Sequence, residues 1–166
     1  MSVATNQSLV SIEKNDFGRL SDGRHANLYT LRNKDLSVSI SNYGGIITHL
    51  LAPDSNGTTA DIVLGYDNVA QYEQDTYYLG AIIGRYAGRI KDGKLTVNNN
   101  NYQLTLNTPD SQLHGGKKAL NKQLWHAKTN LLDDSAQLIL TYTSLHGEEG
   151  FPGNVDFKVV YTLDIE

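Results

Sequence analysis

The side chains best suited to acid–base chemistry or ligand binding lie in three short segments of this 166-residue chain. The first segment places His114 directly before the pair Gly115-Gly116. Histidine titrates near neutral pH, so it can donate or accept a proton or hold a hydroxyl group. The two glycines would let the backbone approach a ligand closely. A histidine that merely caps a glycine turn is the alternative that the residues leave open.

The second segment is an apolar, glycine-rich run from Gly80 to Ile90 that carries two arginines, Arg85 and Arg89. An unpaired buried charge is very costly, so each arginine must be paired or must face a cavity. Positions four apart share one face of a strand. The pattern predicts one structural and one ligand-facing arginine, with surface ion pairs for both as the alternative.

The third segment is the turn Gly147–Gly153, which contains the adjacent carboxylates Glu148 and Glu149. Two carboxylates can share acid–base work, but neighbours in an extended chain point in different directions. We therefore predict that both stabilise the turn. Trp125, the one tryptophan, could stack on a sugar ring; its place at the start of a strand predicts a core position instead.

The elements that position these residues are predicted to be strands. Apolar and polar residues alternate in several runs, which is typical of strands with one buried face. An Asn-rich turn at 98–101 indicates a hairpin. No run of ten residues shows a helical period with caps, and 69–80 is the best candidate for a helical turn. The predicted strands are 9–12, 28–32, 36–41, 46–51, 61–66, 94–97, 102–106, a strand starting at 125–127, 137–142 and 155–165. The fold class is all-β, an antiparallel sandwich or open barrel forming a single domain over residues 1–166.

Composition limits the function classes. The net charge is −4, so no basic field favours nucleic acid or an anionic membrane as a partner. The chain has no cysteine, which excludes disulfides and thiolate metal sites, and the spacing of its histidines predicts no metal site. No basic-then-apolar leader and no window of about 18 apolar residues is found. A cytoplasmic location is the default expectation.

Taken in order, these segments resemble the aldose 1-epimerase (galactose mutarotase) family. The resemblance runs from Phe17-Gly18 to Ile165, and the order of the motifs makes it specific. The motifs are Asn42-Tyr43-Gly44-Gly45-Ile46-Ile47, Asp61–Asp67, Gly84–Ile90, Asn107 with Leu113-His114-Gly115-Gly116, Trp125, and Gly147–Gly153.

The resemblance implies a large antiparallel β-sandwich, truncated here after about half the fold, with an open cleft for a monosaccharide. The family interconverts the α and β anomers of aldoses such as galactose and glucose. A glutamate acts as general base on the C1 hydroxyl, and a histidine acts as general acid on the ring oxygen. The resemblance implies no metal and no organic cofactor.

Residue by residue, His114 matches the first of the family's two active-site histidines, as a catalytic and substrate-binding residue. Arg89 matches the sugar-binding arginine, and Arg85 belongs to the same motif with no role that the resemblance assigns. Gly88 stands where the family usually has asparagine. The family's second histidine and its catalytic glutamate would fall beyond Glu166.

These 166 residues are therefore expected to lack the base. A non-catalytic carbohydrate-binding or regulatory protein of the same fold is the alternative. The strand at Val155–Ile165 would also present an unpaired edge, which predicts self-association.

Overall fold

The computed structural model describes residues 9–165, which form antiparallel strands and one short α-helix. The strands are β1 Ser11–Arg19, β2 His25–Arg32, β3 Ser37–Ser41, β4 Ile47–Pro53, β5 Thr59–Asp61, β6 Arg89–Lys91, β7 Lys94–Val97, β8 Asn100–Gln103, β9 Ser111–Leu113, β10 His126–Leu131, β11 Ser135–Ser144 and β12 Val155–Asp164. The helix α1 is Val69–Gln74, and two 3-10 turns cover Leu120–Lys122 and Glu148–Gly150.

Strands β1 to β5 form one sheet in chain order, each antiparallel to the next. The predicted turn between β2 and β3 is confirmed. The Asn33 side chain accepts the backbone N–H groups of Asp35 and Leu36 at 2.9 and 2.6 Å. This local hydrogen bonding is the reason asparagine favours turns, and it aligns β2 with β3.

A second sheet of β10, β11 and β12 packs over the first and encloses the main core. Leu31 and Ile40 from the first sheet share this core with Leu138 and Leu140 of β11. Trp125 is 1% exposed, and its indole N–H donates to the Leu120 carbonyl oxygen at 3.0 Å. The predicted antiparallel β-sandwich and the core position of the tryptophan are both confirmed.

Helix α1 lies where the sequence predicts a helical turn. The Asn68 side chain caps it by accepting the Gln71 N–H at 3.1 Å. Its buried residues Val69 and Tyr72 join Phe17 of β1 in a second apolar cluster. Within residues 9–165, no helix is long and apolar enough to cross a membrane.

Two small antiparallel ladders complete the structure. Strand β6 pairs with β9, and β7 pairs with β8. The predicted asparagine hairpin is confirmed, with Asn98 and Asn99 at φ of 50° and 63°. Positive φ at both loop positions suits a two-residue turn between twisted strands.

Three strand predictions need correction. The first strand begins at Ser11 and extends to Arg19, beyond the predicted 9–12; residues 1–8 lie outside the described part. The predicted strand 61–66 is wrong: β5 ends at Asp61, whose carboxylate accepts the N–H groups of Leu50 and Val63, and Leu64 is 78% exposed. The predicted 102–106 strand is displaced to Asn100–Gln103.

Burial departs from the one-sided pattern in β2 and in the basic loop. The consecutive residues Tyr29 to Leu31 are all buried, so both faces of β2 are covered here. On the face that carries Thr30, the Thr30 hydroxyl is hydrogen-bonded to the Ser39 hydroxyl at 2.9 Å. The lysines of segment 117–122 predict a solvated loop, but the segment is exposed only at its start. Leu120 enters the main core, and the chain there makes a 3-10 turn.

Candidate functional site

His114 is held in place by the backbone of Gly88. The His114 N–H donates to the Gly88 carbonyl oxygen at 2.9 Å, and the Gly88 N–H donates to His114 Nδ1 at 3.1 Å. Because Nδ1 accepts a hydrogen bond, the neutral imidazole carries its proton on Nε2. Among residues 9–165, no group accepts from Nε2, so this nitrogen is the donor offered to a ligand.

The imidazole packs against Tyr78. The two ring centroids lie 4.9 Å apart at an interplanar angle of 74°, an edge-to-face contact. Burial raises the pKa of the Tyr78 hydroxyl, while the nearby Asn107 and Arg89 side chains act in the opposite direction. Tyr78 therefore keeps its proton at neutral pH beside the imidazole. Sequence reasoning placed Tyr78 in the segment 69–80 and assigned it no functional role. The only signal for Tyr78 was its position in a tyrosine-rich stretch.

Asn107 fixes the loop that carries His114. Its amide nitrogen donates to the carbonyl oxygens of Leu113 and Gly116 at 2.8 and 3.1 Å. Its amide oxygen accepts the Leu113 N–H at 2.6 Å. One side chain thus spans both ends of the four-residue segment 113–116. The sequence motif included Asn107, but it gave no signal of this positioning role.

Glu149 holds the same loop from its C-terminal side. Its carboxylate accepts the backbone N–H groups of Lys117 and Lys118 at 3.0 and 2.8 Å. The neighbouring carboxylate of Glu148 accepts from the Tyr142 and Ser144 hydroxyls. The structural role predicted for both glutamates is confirmed, since hydrogen bonds within the fold occupy both carboxylates.

The two arginines differ in their surroundings. Arg85 donates to Ser144 Oγ and to the carbonyl oxygens of Ser144, Leu145 and Pro152 at 2.7–3.0 Å. It is structural. Arg89 is exposed, and within the described chain no carboxylate forms an ion pair with it. The alternative of surface ion pairs for both is therefore wrong.

The expectation that Arg85 and Arg89 share a strand face is also wrong. Strand β6 begins only at Arg89, and residues 84–88 cross the His114 loop instead of following a neighbouring strand. Gly84 lies so close to Gly115 that a Cβ on Gly115 would overlap the Gly84 carbonyl. This packing turns the Arg85 side chain towards 144–152, away from Arg89.

The structure brings His114 and Arg89 together across the β6–β9 ladder. Arg89 is directly opposite Leu113, the residue before His114. Gly88, the residue before the exposed Arg89, is the hydrogen-bond partner of His114, whose Nε2 carries a proton. Chemically, the two side chains can donate hydrogen bonds to oxygen atoms of a hydroxylated ligand.

Comparisons with known proteins agree on the class. The family model described as aldose 1-epimerase matches residues 27–166. A galactose mutarotase from Rattus norvegicus is 38% identical over 157 residues, which cover 94% of this chain and 45% of that protein. An aldose 1-epimerase from Escherichia coli strain K12 is 32% identical over 143 residues, covering 86% of this chain and 40% of that protein.

A solved structure of similar fold is the galactose 1-epimerase from Lactobacillus acidophilus NCFM. It superposes with a TM-score of 0.82 at 26% identity, over 95% of this chain and 46% of that one. The sheets and the site thus define an antiparallel sandwich of the sugar-epimerase class. This chain belongs to the aldose 1-epimerase family, and it spans about half the length of the curated relatives it matches.

Proposed function

We propose that this protein is an aldose 1-epimerase that interconverts the α and β anomers of aldoses such as galactose or glucose in the cytoplasm. The observation that carries the proposal is the hydrogen bond from the Gly88 N–H to His114 Nδ1, because it leaves a proton on Nε2. Family membership supports the reaction class, since relatives are called galactose mutarotase and aldose 1-epimerase.

In the proposed reaction, a base removes the proton of the C1 hydroxyl while His114 Nε2–H holds the ring oxygen by a hydrogen bond. An acid that we assign, like the base, to the part of the relatives' length that this chain does not span protonates that oxygen. The bond between C1 and the ring oxygen breaks, and an open-chain aldehyde forms. Rotation about C1–C2 presents the other face of the aldehyde. The ring oxygen returns its proton to that acid and attacks C1, and the base returns its proton to the C1 oxygen. Arg89 holds sugar oxygens during these steps.

The base is the group that residues 9–165 do not offer at this site. Glu148 and Glu149, the carboxylates next to the His114 loop, already accept hydrogen bonds from the fold. A carboxylate engaged in this way is a poor proton acceptor. We therefore assign the base to the part of the relatives' length that this chain does not span.

The second candidate is a non-catalytic carbohydrate-binding or regulatory protein of the same fold. The observation that favours it is that both glutamates already accept hydrogen bonds from the fold. In such a protein, His114 and Arg89 would bind a sugar and no base would act on it. We also propose that residues 1–166 are the N-terminal part of a single β-sandwich domain of the aldose 1-epimerase type.

Polarimetry of freshly dissolved α-galactose tests the proposal. A form of the protein spanning the relatives' whole length should accelerate mutarotation, and His114→Ala should reduce the rate by about 10²–10⁴-fold. Residues 1–166 alone should bind galactose in calorimetry without accelerating the reaction, and Arg89→Ala should weaken that binding. Galactose binding without acceleration by the long form would support the binding protein instead. Absence of both binding and acceleration would overturn both candidates.

A further inference from the structure

A cavity of about 840 Å³ opens between the β1–β2 turn, helix α1 and the segment after the His114 loop. Its volume is in the range of sites for small metabolites. Its lining includes neither His114 nor Arg89, nor Tyr78 and Asn107 beside them. We propose that this cavity binds the phosphate monoester of a small sugar or polyol.

The charge of the cavity wall is opposite to that of the protein. Five cationic side chains and two carboxylates line the cavity, although the whole chain has a net charge of −4. The cations are Arg19, Arg24, Lys117, Lys118 and Lys122. A concave surface of one sign concentrates its field and draws in ions of the other sign. An anion is therefore the ligand that the wall favours over a neutral or cationic one.

The two carboxylates of the wall are already compensated. Asp22 forms an ion pair with Arg24 at 2.7 Å. Glu73 accepts the Ser21 hydroxyl at 2.8 Å and the Ser21 N–H at 3.0 Å. Arg24 and the more distant Lys118 also keep the pKa of Asp22 below its usual range. An entering phosphate thus meets acids that hydrogen bonds and cations have partly neutralised.

The remaining cations divide into one structural lysine and three available groups. Lys122 Nζ donates to the carbonyl oxygens of Tyr72, Glu73 and Asp75 at 2.7–3.0 Å, so its hydrogens are used to close the end of α1. The ammonium groups of Lys117 and Lys118 are exposed and form no ion pair within residues 9–165.

The third available group is Arg19. Only its Nε is engaged, by the Gly23 carbonyl oxygen at 3.2 Å. Two ammonium groups and the end of a guanidinium can together bond several oxygens of one phosphate, which is the arrangement that charge-assisted recognition of a dianion requires.

Tyr43 supplies a neutral donor on the same wall. The residue is 4% exposed and lines the cavity, and its hydroxyl forms no hydrogen bond within residues 9–165. Burial, with the charges of Glu73 and Asp22, raises its pKa to about 12, so the hydroxyl is protonated at neutral pH. Its position next to the free cations points to an oxygen-rich anion.

Isothermal titration calorimetry with inorganic phosphate, galactose 6-phosphate and galactose tests the site. Saturable binding of both phosphorylated probes, with weaker or no binding of galactose at this site, is the expected result. Galactose 6-phosphate could also enter the His114 site, so the titration is repeated with Arg89→Ala. Binding in the cavity should survive that change, whatever the outcome for the proposed function.

The double variant Lys117→Gln/Lys118→Gln should weaken phosphate binding about tenfold or more, equal to about 1.4 kcal/mol or more. Tyr43→Phe, which removes one hydroxyl and keeps the ring, should weaken it by a smaller factor. The matched control is Lys34→Gln/Lys128→Gln, which removes the same charge from exposed lysines outside the cavity. No saturable phosphate binding, or equal weakening in the control, would overturn the proposal.

Discussion

His114 takes its orientation from backbone groups, whereas many catalytic histidines are oriented by a carboxylate. Gly88, which forms both hydrogen bonds with His114, adopts a φ of 115°. Residues with a side chain rarely adopt this conformation. Both partners of the histidine are backbone groups, so its orientation requires no second ionisable side chain.

Asn107→Ala should loosen the loop that carries His114. The change removes three hydrogen bonds to backbone groups of Leu113 and Gly116 in a half-buried position. We expect a loss of about 2 kcal/mol in the free energy of unfolding, measured with urea. Asn130→Ala is the control, since exposed Asn130 makes a single side-chain bond of 3.4 Å. Equal stability of the two variants would contradict the positioning role.

The paired arginines allow a comparison of structure with ligand binding. Arg85→Ala removes the four hydrogen bonds from Arg85 to segment 144–152, and we expect it to cost roughly 2–3 kcal/mol of unfolding free energy. Arg85→Lys should lose most of this too, because an ammonium cannot reproduce the planar fork. Arg89→Ala should leave thermal unfolding nearly unchanged and should reduce galactose binding. The division of roles fails if Arg89→Ala is the more destabilising change.

At the site, sequence reasoning singled out the residues whose chemistry is unusual for their surroundings. His114 among glycines and an arginine in an apolar run were both visible as patterns, and the hydrogen bonds between Gly88 and His114 bring their two segments together. Tyr78 and Asn107 were not found as functional residues, because tyrosine and asparagine are ordinary loop residues. Their roles arise from tertiary contacts: Tyr78 packs against His114, 36 residues further along the chain, and Asn107 bonds the backbone of Leu113. A local sequence pattern does not contain such contacts.

Among the elements, the β7–β8 hairpin offers the clearest test of local conformation. Asn98 and Asn99 both adopt positive φ in a two-residue loop, where glycine at the second position is preferred. Asn99→Gly should therefore keep or raise stability, by up to about 0.5 kcal/mol, whereas Asn99→Val should lower it by about 1 kcal/mol or more. Thermal unfolding of the two variants measures the difference. A stabilising valine would show that the loop is not strained in this way.

Period-two patterns predicted the long strands because burial on one face leaves a direct trace in the sequence. The failures lie where a side chain bonds to the backbone. Asp61 ends β5 early by accepting two N–H groups, although apolar residues follow it. Arg85 leaves the expected strand because its guanidinium finds carbonyl groups about 60 residues away. Such long-range hydrogen bonds override local propensity, and no pattern of hydrophobicity reports them.

For the whole molecule, the sandwich separates packing from ligand binding. The two larger sheets enclose the main core, while the small β6–β9 ladder and its loops carry the candidate site. Glu149 and Arg85 connect these loops to the turn after β11, so the site rests on the second sheet. Substitutions in that turn should therefore change the position of His114, although they do not contact it.

Strand β12 pairs with β11 on one side, and no other described strand pairs with its second side. The free edge of this ten-residue strand presents N–H and C=O groups that can pair with another chain. Val160, on the same strand, is 44% exposed. We therefore expect residues 1–166 to self-associate, with a sedimentation coefficient that rises with protein concentration.

Val160→Lys should weaken this association, because a charged side chain on an edge strand opposes strand addition. Val97→Lys is the matched control, since Val97 is also an exposed valine on a strand but lies in the small β7–β8 hairpin. Sedimentation velocity over a wide range of concentrations distinguishes the two. A single monomeric species of the parent chain at the highest concentration would show that the twist of β12 and its flanking charges Asp156, Lys158 and Asp164 already protect the edge. Equal effects of both lysines would assign the association to general apolar contact instead of strand pairing.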